Sequence, residues 1–162
     1  MFDAPILDPR RLCRLGETVE GHCLPADLSA LQGELHNPDG VVQYRVVGSL
    51  SADQQPLLSV YITGQVQLTC QRCLEAMRFD LDLCTHLVLV PDEAALPALE
   101  EEQAGWDVIV CPTQLVVADL IQEEIVLALP VAPTHAQGPC GASTVLAAEP
   151  AAHPFAALRS LT

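Results

Sequence analysis

Two cysteines stand three positions apart in the stretch LTCQRCLEAM, Cys70 and Cys73, with Arg72 between them. A Cys-x-x-Cys pair can present two thiolates to a metal ion, cycle as a disulfide, or fill apolar space. A tetrahedral zinc site needs four nitrogen or sulfur donors, and the chain has no second Cys-x-x-Cys to supply the other two. The best remaining donors are His135 and Cys140, five residues apart in the Pro/Gly-rich stretch PTHAQGPC. The candidate metal set is therefore Cys70, Cys73, His135 and Cys140, and zinc is the cofactor such a set would take. Redox cycling is the weaker alternative. It depends on a helix N-terminus and neighbouring cations, whereas this pair follows a strand with only Arg72 nearby. Packing is the plain alternative for Cys70, which continues the apolar face of its strand. The residues alone leave these choices open. Cys13, Cys23, Cys84 and Cys111 have no spacing partner and read as ordinary thiols.

Carboxylates offer less. Glu123 and Glu124 are adjacent in a helical stretch, so they point about 100° apart and cannot act as a facing pair. Asp119 and Glu123 share a face but read as a solvated stripe. Glu124 is surrounded at helical spacing by Val117, Leu120, Ile121 and Leu127, so it would need a partner, with Arg72 or Arg45 the candidates. There is no glycine-rich phosphate loop, no Gly-x-Ser-x-Gly elbow and no HExxH helix. Aromatic residues make up 4% of the chain, too few for a base-stacking platform. No catalytic constellation forms, and the chain reads as a non-enzyme.

The elements that must position these residues are legible from alternation. In VVQYRVVGSL the apolar positions are Val42, Tyr44, Val46 and Leu50; in LLSVYITGQVQLTC they are Leu58, Val60, Ile62, Val66, Leu68 and Cys70. In MRFDLDLCTHLVLV they are Met77, Phe79, Leu81, Leu83, Leu87 and Leu89. A period of two sustained over three segments predicts antiparallel strands with one face on a core. The last two should form a hairpin whose connection is CQRCLEA, which puts the cysteine pair at its tip. ETVEGHCLP reads as a short strand, ADLSALQGEL as a helical turn or another strand, and Asn37-Pro38-Asp39-Gly40 as a turn. WDVIV is a further short strand and PDEAALPALEEEQAG an exposed acidic loop. TQLVVADLIQEEIVLALP predicts a helix, with Thr113 as its N-cap and Pro130 as its stop. The expected fold class is α+β: an antiparallel sheet of about four to six strands, barrel-like at most, with one principal helix packed on it. Residues 1–140 should form one domain and the Ala/Pro-rich stretch 141–162 a flexible tail.

Charge narrows the partners. Seven arginines and no lysine face 21 carboxylates, a formal net charge of −14. Nucleic acid requires a basic footprint, so direct RNA binding is disfavoured. A basic protein is the partner an acidic surface attracts over distance, although the same acidity also serves solubility. No segment reaches the ~18 apolar residues of a membrane span. The opening MFDAPILDPRRLCRLGE lacks a signal-peptide core, so the cytoplasm is the expected location. Seven cysteines, an odd count, suit a reducing compartment.

Two blocks together resemble a known family. LTCQRCLEAM is similar to its Cys-x-Arg-Cys-Leu signature, contributing Cys70, Arg72, Cys73 and Leu74. DLIQEEIVLALPVAPTHAQGPC resembles its later block and contributes Glu123, Glu124, Leu129, Pro130, His135 and Cys140. The opening DPRRLCRLGETVEG also fits. The family is the large ribosomal RNA subunit accumulation proteins, often called YceD. The resemblance implies a bacterial cytoplasmic factor that promotes accumulation of 23S ribosomal RNA, and hence large-subunit assembly, with no catalytic residues. It leaves Arg72, Leu74, Glu123, Glu124 and Pro130 as motif or partner-binding candidates. The expected partner is a basic ribosomal protein or an RNA-modifying or assembly protein.

Overall fold

Period-two alternation builds most of this protein, and the computed structural model describes it over residues 4–97, 106–136 and 140. In chain order the elements are β1 (Ile6–Leu7), α1 (Pro9–Leu15), β2 (Thr18–Cys23), β3 (Leu35–Leu50), β4 (Pro56–Thr69), β5 (Ala76–Val90), β6 (Asp107–Val110), β7 (Leu115–Val116) and α2 (Val117–Ala128). Two single 3₁₀ turns, Pro25–Asp27 and Ser29–Leu31, follow β2. The main sheet has the order β2-β3-β4-β5-β6, and β1 pairs with β7 in a separate ribbon. The fold is α+β, as expected. The sheet stays open, with β2 and β6 at its edges, so it is not a barrel.

The β4–β5 hairpin is the backbone of the site. Its ladder runs unbroken from Leu57↔Val88 to Thr69↔Ala76. Leu58, Val60, Ile62, Val66 and Leu68 from β4 are buried with Leu81, Leu87 and Leu89 from β5. Val42, Tyr44 and Val46 extend the same core onto β3, while Leu50, expected inside, is exposed at the strand's end. Leu28 and Leu31 of the 3₁₀ turns, Leu12 and Cys13 of α1, and Val117, Leu120, Ile121 and Ile125 of α2 close over this cluster.

Several expectations are corrected. Asn37-Pro38-Asp39-Gly40 does not reverse the chain but bulges within β3, whose pairing jumps from Asn37↔Gln67 to Val41↔Gln65. Pro38, Asp39 and Gly40 thus stand opposite Val66 alone. Asn37 still performs its turn chemistry locally, its Oδ1 accepting the Asp39 N–H at 3.0 Å. Gly40 has φ +137°, and a Cβ there would run into the Gln65 carbonyl oxygen. The turn residues are absorbed because β4 continues past them as a template. WDVIV is a strand, but β6 pairs parallel to β5.

The principal helix is α2, as expected, and a short second helix, α1, accompanies it. α1 carries its own signals: Asp8 Oδ1 accepts the Arg11 N–H at 3.1 Å, Pro9 occupies the first turn, and Gly16 ends it. α2 begins at Val117, not near Thr113, because Leu115–Val116 pair with β1 and the Val117 N–H reaches the Pro5 carbonyl at 3.1 Å. Its N-cap is Val116, without a side-chain hydrogen bond. It ends as expected: Leu129 is already extended, the conformation that a residue before proline prefers. Leu127, expected to pack, is 81% exposed. Among the described residues no helix is long and apolar enough to cross a membrane. Most of the acidic loop (residues 98–105) and the expected tail 141–162 lie outside the described residues.

A candidate metal centre at the hairpin tip

Cys70 ends the apolar row of β4, so its side chain enters the core side of the sheet and is fully buried. The chain then turns tightly. The Cys70 N–H donates to the Glu75 carbonyl at 3.0 Å, and the Leu74 N–H donates back to the Cys70 carbonyl at 2.9 Å. Leu74 closes the turn with φ +62°, a left-handed conformation that glycine adopts more readily. The turn folds Cys73 back beside Cys70, and the Arg72 N–H points at the Cys70 sulfur, 3.5 Å away.

The other half arrives from beyond α2. Pro130 stops the helix and the segment after it runs to the hairpin tip, where the Gln71 N–H donates to the Pro133 carbonyl at 2.8 Å. Two residues on, His135 lies with Nε2 3.1 Å from the Ala76 carbonyl. A neutral ring that donates from Nε2 to this oxygen turns its Nδ1 lone pair inward. Nδ1 then sits 3.4 Å from Cys73 Sγ and 3.5 Å from Cys140 Sγ. Cys140 Sγ is in turn 3.4 Å from Cys70 Sγ and 3.8 Å from Cys73 Sγ. The four donor atoms all lie within 4.8 Å of one another. Among the described residues this is the one group of three or more Cys, His or acidic side chains placed to share an ion.

The thiols are strongly perturbed. Burial alone would push Cys70 up, but hydrogen bonds from the backbone of Cys73, His135 and Arg72 and from the Cys140 thiol outweigh it and bring Cys70 down to about 5. Cys140 moves the other way, pushed up to about 11 by burial and then by its hydrogen bonds and proximity to Cys70 and Cys73. One thiolate is thus stabilised and a second opposed, as expected where sulfurs crowd together. No helix starts at this pair, so the dipole that activates a redox cysteine is missing.

Other sequence candidates lie elsewhere. Arg72 and Leu74 are exposed on the tip, Leu74 at 68%, and Pro130 is exposed on the approach from α2. Glu123 faces solvent. Glu124 does need a partner but takes neither Arg72 nor Arg45: the Thr85 hydroxyl of β5 donates to its carboxylate at 2.6 Å. Arg45 is occupied by Glu20 at 4.0 Å and by the face of Tyr61, 4.9 Å from the ring centroid. Thr85 stands nine positions up β5 from Ala76, about 30 Å along the strand, so the glutamates are not part of the cysteine cluster.

The sequence reading missed a polar group on the opposite face of the sheet. Ser59 Oγ lies 3.0 Å from His86 Nδ1, Cys84 Sγ 3.8 Å from His86 Nε2, and the Trp106 ring stacks on His86 at 5.3 Å. Ser59 and His86 are cross-strand partners, and only the hairpin register reveals it.

A comparison with protein-family models matches residues 58–162 to the family described as large ribosomal RNA subunit accumulation protein YceD. Neither the curated proteins nor the solved structures gave a match. The matched region begins inside β4 and carries both halves of the cysteine–histidine cluster together with α2. Spanning about two thirds of the sequence, the match shows that the chain belongs to the YceD family of large ribosomal RNA subunit accumulation proteins.

Proposed function

We propose that this chain promotes accumulation of 23S ribosomal RNA, and so assembly of the large ribosomal subunit, as a non-enzymatic adaptor in the cytoplasm that holds a basic protein partner. Family membership supports the ribosomal role. The surface supports the manner of acting, and the observation that carries it is charge. The formal net charge is −14 with no lysine, and the carboxylates of Glu17, Glu34, Asp39, Glu75, Asp82 and Glu123 all stand exposed. A field of this sign repels a phosphate backbone and steers a cationic protein toward the chain. Two of the described arginines are further engaged with acids, Arg45 with Glu20 and Arg78 with Asp80 at 2.7 Å.

The test has two arms. Affinity purification from cells, with and without nuclease, should recover a basic ribosomal or assembly protein that survives nuclease treatment. Electrophoretic mobility of 23S fragments at low salt should be unaffected by the isolated protein. Tight, salt-sensitive binding of the RNA by the chain alone would sink the adaptor reading.

A further inference from the structure

The geometry points to a closed, structural zinc site formed by Cys70, Cys73, His135 and Cys140, which fastens the segment after α2 to the tip of the β4–β5 hairpin. This goes beyond the ribosomal reading and does not depend on it. The first argument is metric. Zinc–sulfur bonds of about 2.3 Å and zinc–nitrogen bonds of about 2.0–2.1 Å place tetrahedral ligands about 3.5–3.8 Å from one another. The observed separations are 3.4 Å for Cys70–Cys140, 3.8 Å for Cys73–Cys140, 3.4 Å for Cys73–His135 and 3.5 Å for Cys140–His135. These four separations match the tetrahedral spacing. The two remaining pairs, Cys70–Cys73 and Cys70–His135, lie within 4.8 Å, so the four donors surround one point that an ion can occupy.

The second argument is the surrounding shell. Histidines that hold zinc usually donate their other ring N–H to a carbonyl or carboxylate, which fixes the tautomer. His135 Nε2 has such a partner in the Ala76 carbonyl, at the first residue of β5. The Arg72 N–H directed at the Cys70 sulfur is a donor that suits a metal-bound thiolate. The Gln71–Pro133 backbone bond independently holds the two halves together, so the site is partly organised before an ion enters.

Ligand count and chemistry assign the role. Three thiolates and an imidazole select zinc among common divalent ions, because soft sulfur donors disfavour magnesium and calcium. Four protein ligands leave no open position for water or substrate, which marks a structural rather than a catalytic site. A disulfide is the competing state, but a Cys70–Cys140 bond would engage only two of the four donors that the fold gathers at one point. On binding, the ion displaces the thiol protons and carries three thiolates to a site charge of −1, a modest load once the ion lies among them.

The chain should be purified without chelator, its affinity tag removed, and its metal content measured by elemental analysis. About one zinc per chain is expected, falling to background in Cys73→Ser and in His135→Ala and unchanged in Cys84→Ser, a cysteine outside the cluster. Wild-type protein stripped by chelator and titrated with Co²⁺ should develop the intense visible absorption of tetrahedral, thiolate-bound cobalt, which tests the site even where a variant fails to fold. Chelator should also open the segment 131–136 to protease while the sheet's circular dichroism persists. Folded wild-type protein with background metal and no tetrahedral cobalt spectrum would overturn the assignment. So would iron in place of zinc, or a Cys70–Cys140 disulfide in protein purified under reducing conditions.

Discussion

Cys70 and Cys23 are both buried cysteines, yet the protein treats their thiols in opposite ways. Cys70 is ringed by N–H donors and falls to about 5, whereas Cys23 has none to offset its burial and is pushed up to about 11, with Asp27 adding repulsion. A folded-state value above the unfolded one means that the fold prefers the neutral thiol. Stability linked to Cys23 is therefore complete below pH 9 and lost as pH rises from 9 toward 11. Cys13 and Tyr44 are shifted upward by burial too and act in the same direction. Chemical denaturation across that window should show alkaline destabilisation, of which Cys23 supplies at most about 3 kcal/mol. Cys23→Ala should begin less stable and fall off less steeply; an equal slope would place the loss elsewhere. Leu74 offers a second residue-scale check. Its left-handed backbone carries about 1 kcal/mol of strain, and its exposed side chain packs little. Leu74→Gly should leave thermal stability unchanged or raise it by up to about 1 kcal/mol, a result incompatible with a packing role for that side chain.

At the scale of elements, the helices show how closely neighbours fit the sheet. β3 accepts α1 at Gly48, where an added Cβ would press on the backbone of Leu12 and Cys13. Backbone cannot swing aside as a flexible side chain does, so Gly48→Ala should lift α1 and cost about 1–3 kcal/mol in thermal denaturation. Asp8→Ala removes the cap of the same helix and should cost about 1 kcal/mol. The two together should be less than additive if the first already loosens α1. On the other side, Thr85→Val would leave the Glu124 carboxylate of α2 without its donor and should cost about 1 kcal/mol. The helix's polar stripe was legible in sequence; that its inward-leaning glutamate meets a threonine rather than an arginine was not, because the partner comes from a strand 39 residues away.

For the molecule as a whole, acidity is the dominant property, and its consequence is long-range. Capture of the proposed basic partner should weaken sharply as salt shortens the Debye length from about 10 Å at 0.1 M to about 3 Å at 1 M. Co-purification measured across that range should show most of the partner lost at the high end. Retention unchanged in high salt would indicate an apolar interface and count against electrostatic capture. The sheet is open, with β2 and β6 at its edges, and β6 joins it parallel to β5. Nothing in the four residues Asp107–Val110 announces that direction.

The alternation of β3, β4 and β5, the helix ending before Pro130 and the hairpin connection at Cys70–Cys73 were all settled locally, because side-chain period and proline stereochemistry act within a few residues. The same locality misjudged Asn37-Pro38-Asp39-Gly40, whose turn propensity yields to pairing with β4, and Leu115–Val116, which β1 draws out of the helix. Spacing alone nominated His135 and Cys140 as ligands and left their distance from the hairpin open. Only the tertiary structure brings them there, since the approach depends on how α2 packs across the sheet and where Pro133 meets Gln71. A cysteine–histidine cluster drawn from residues 70 positions apart needs the whole core to set its geometry.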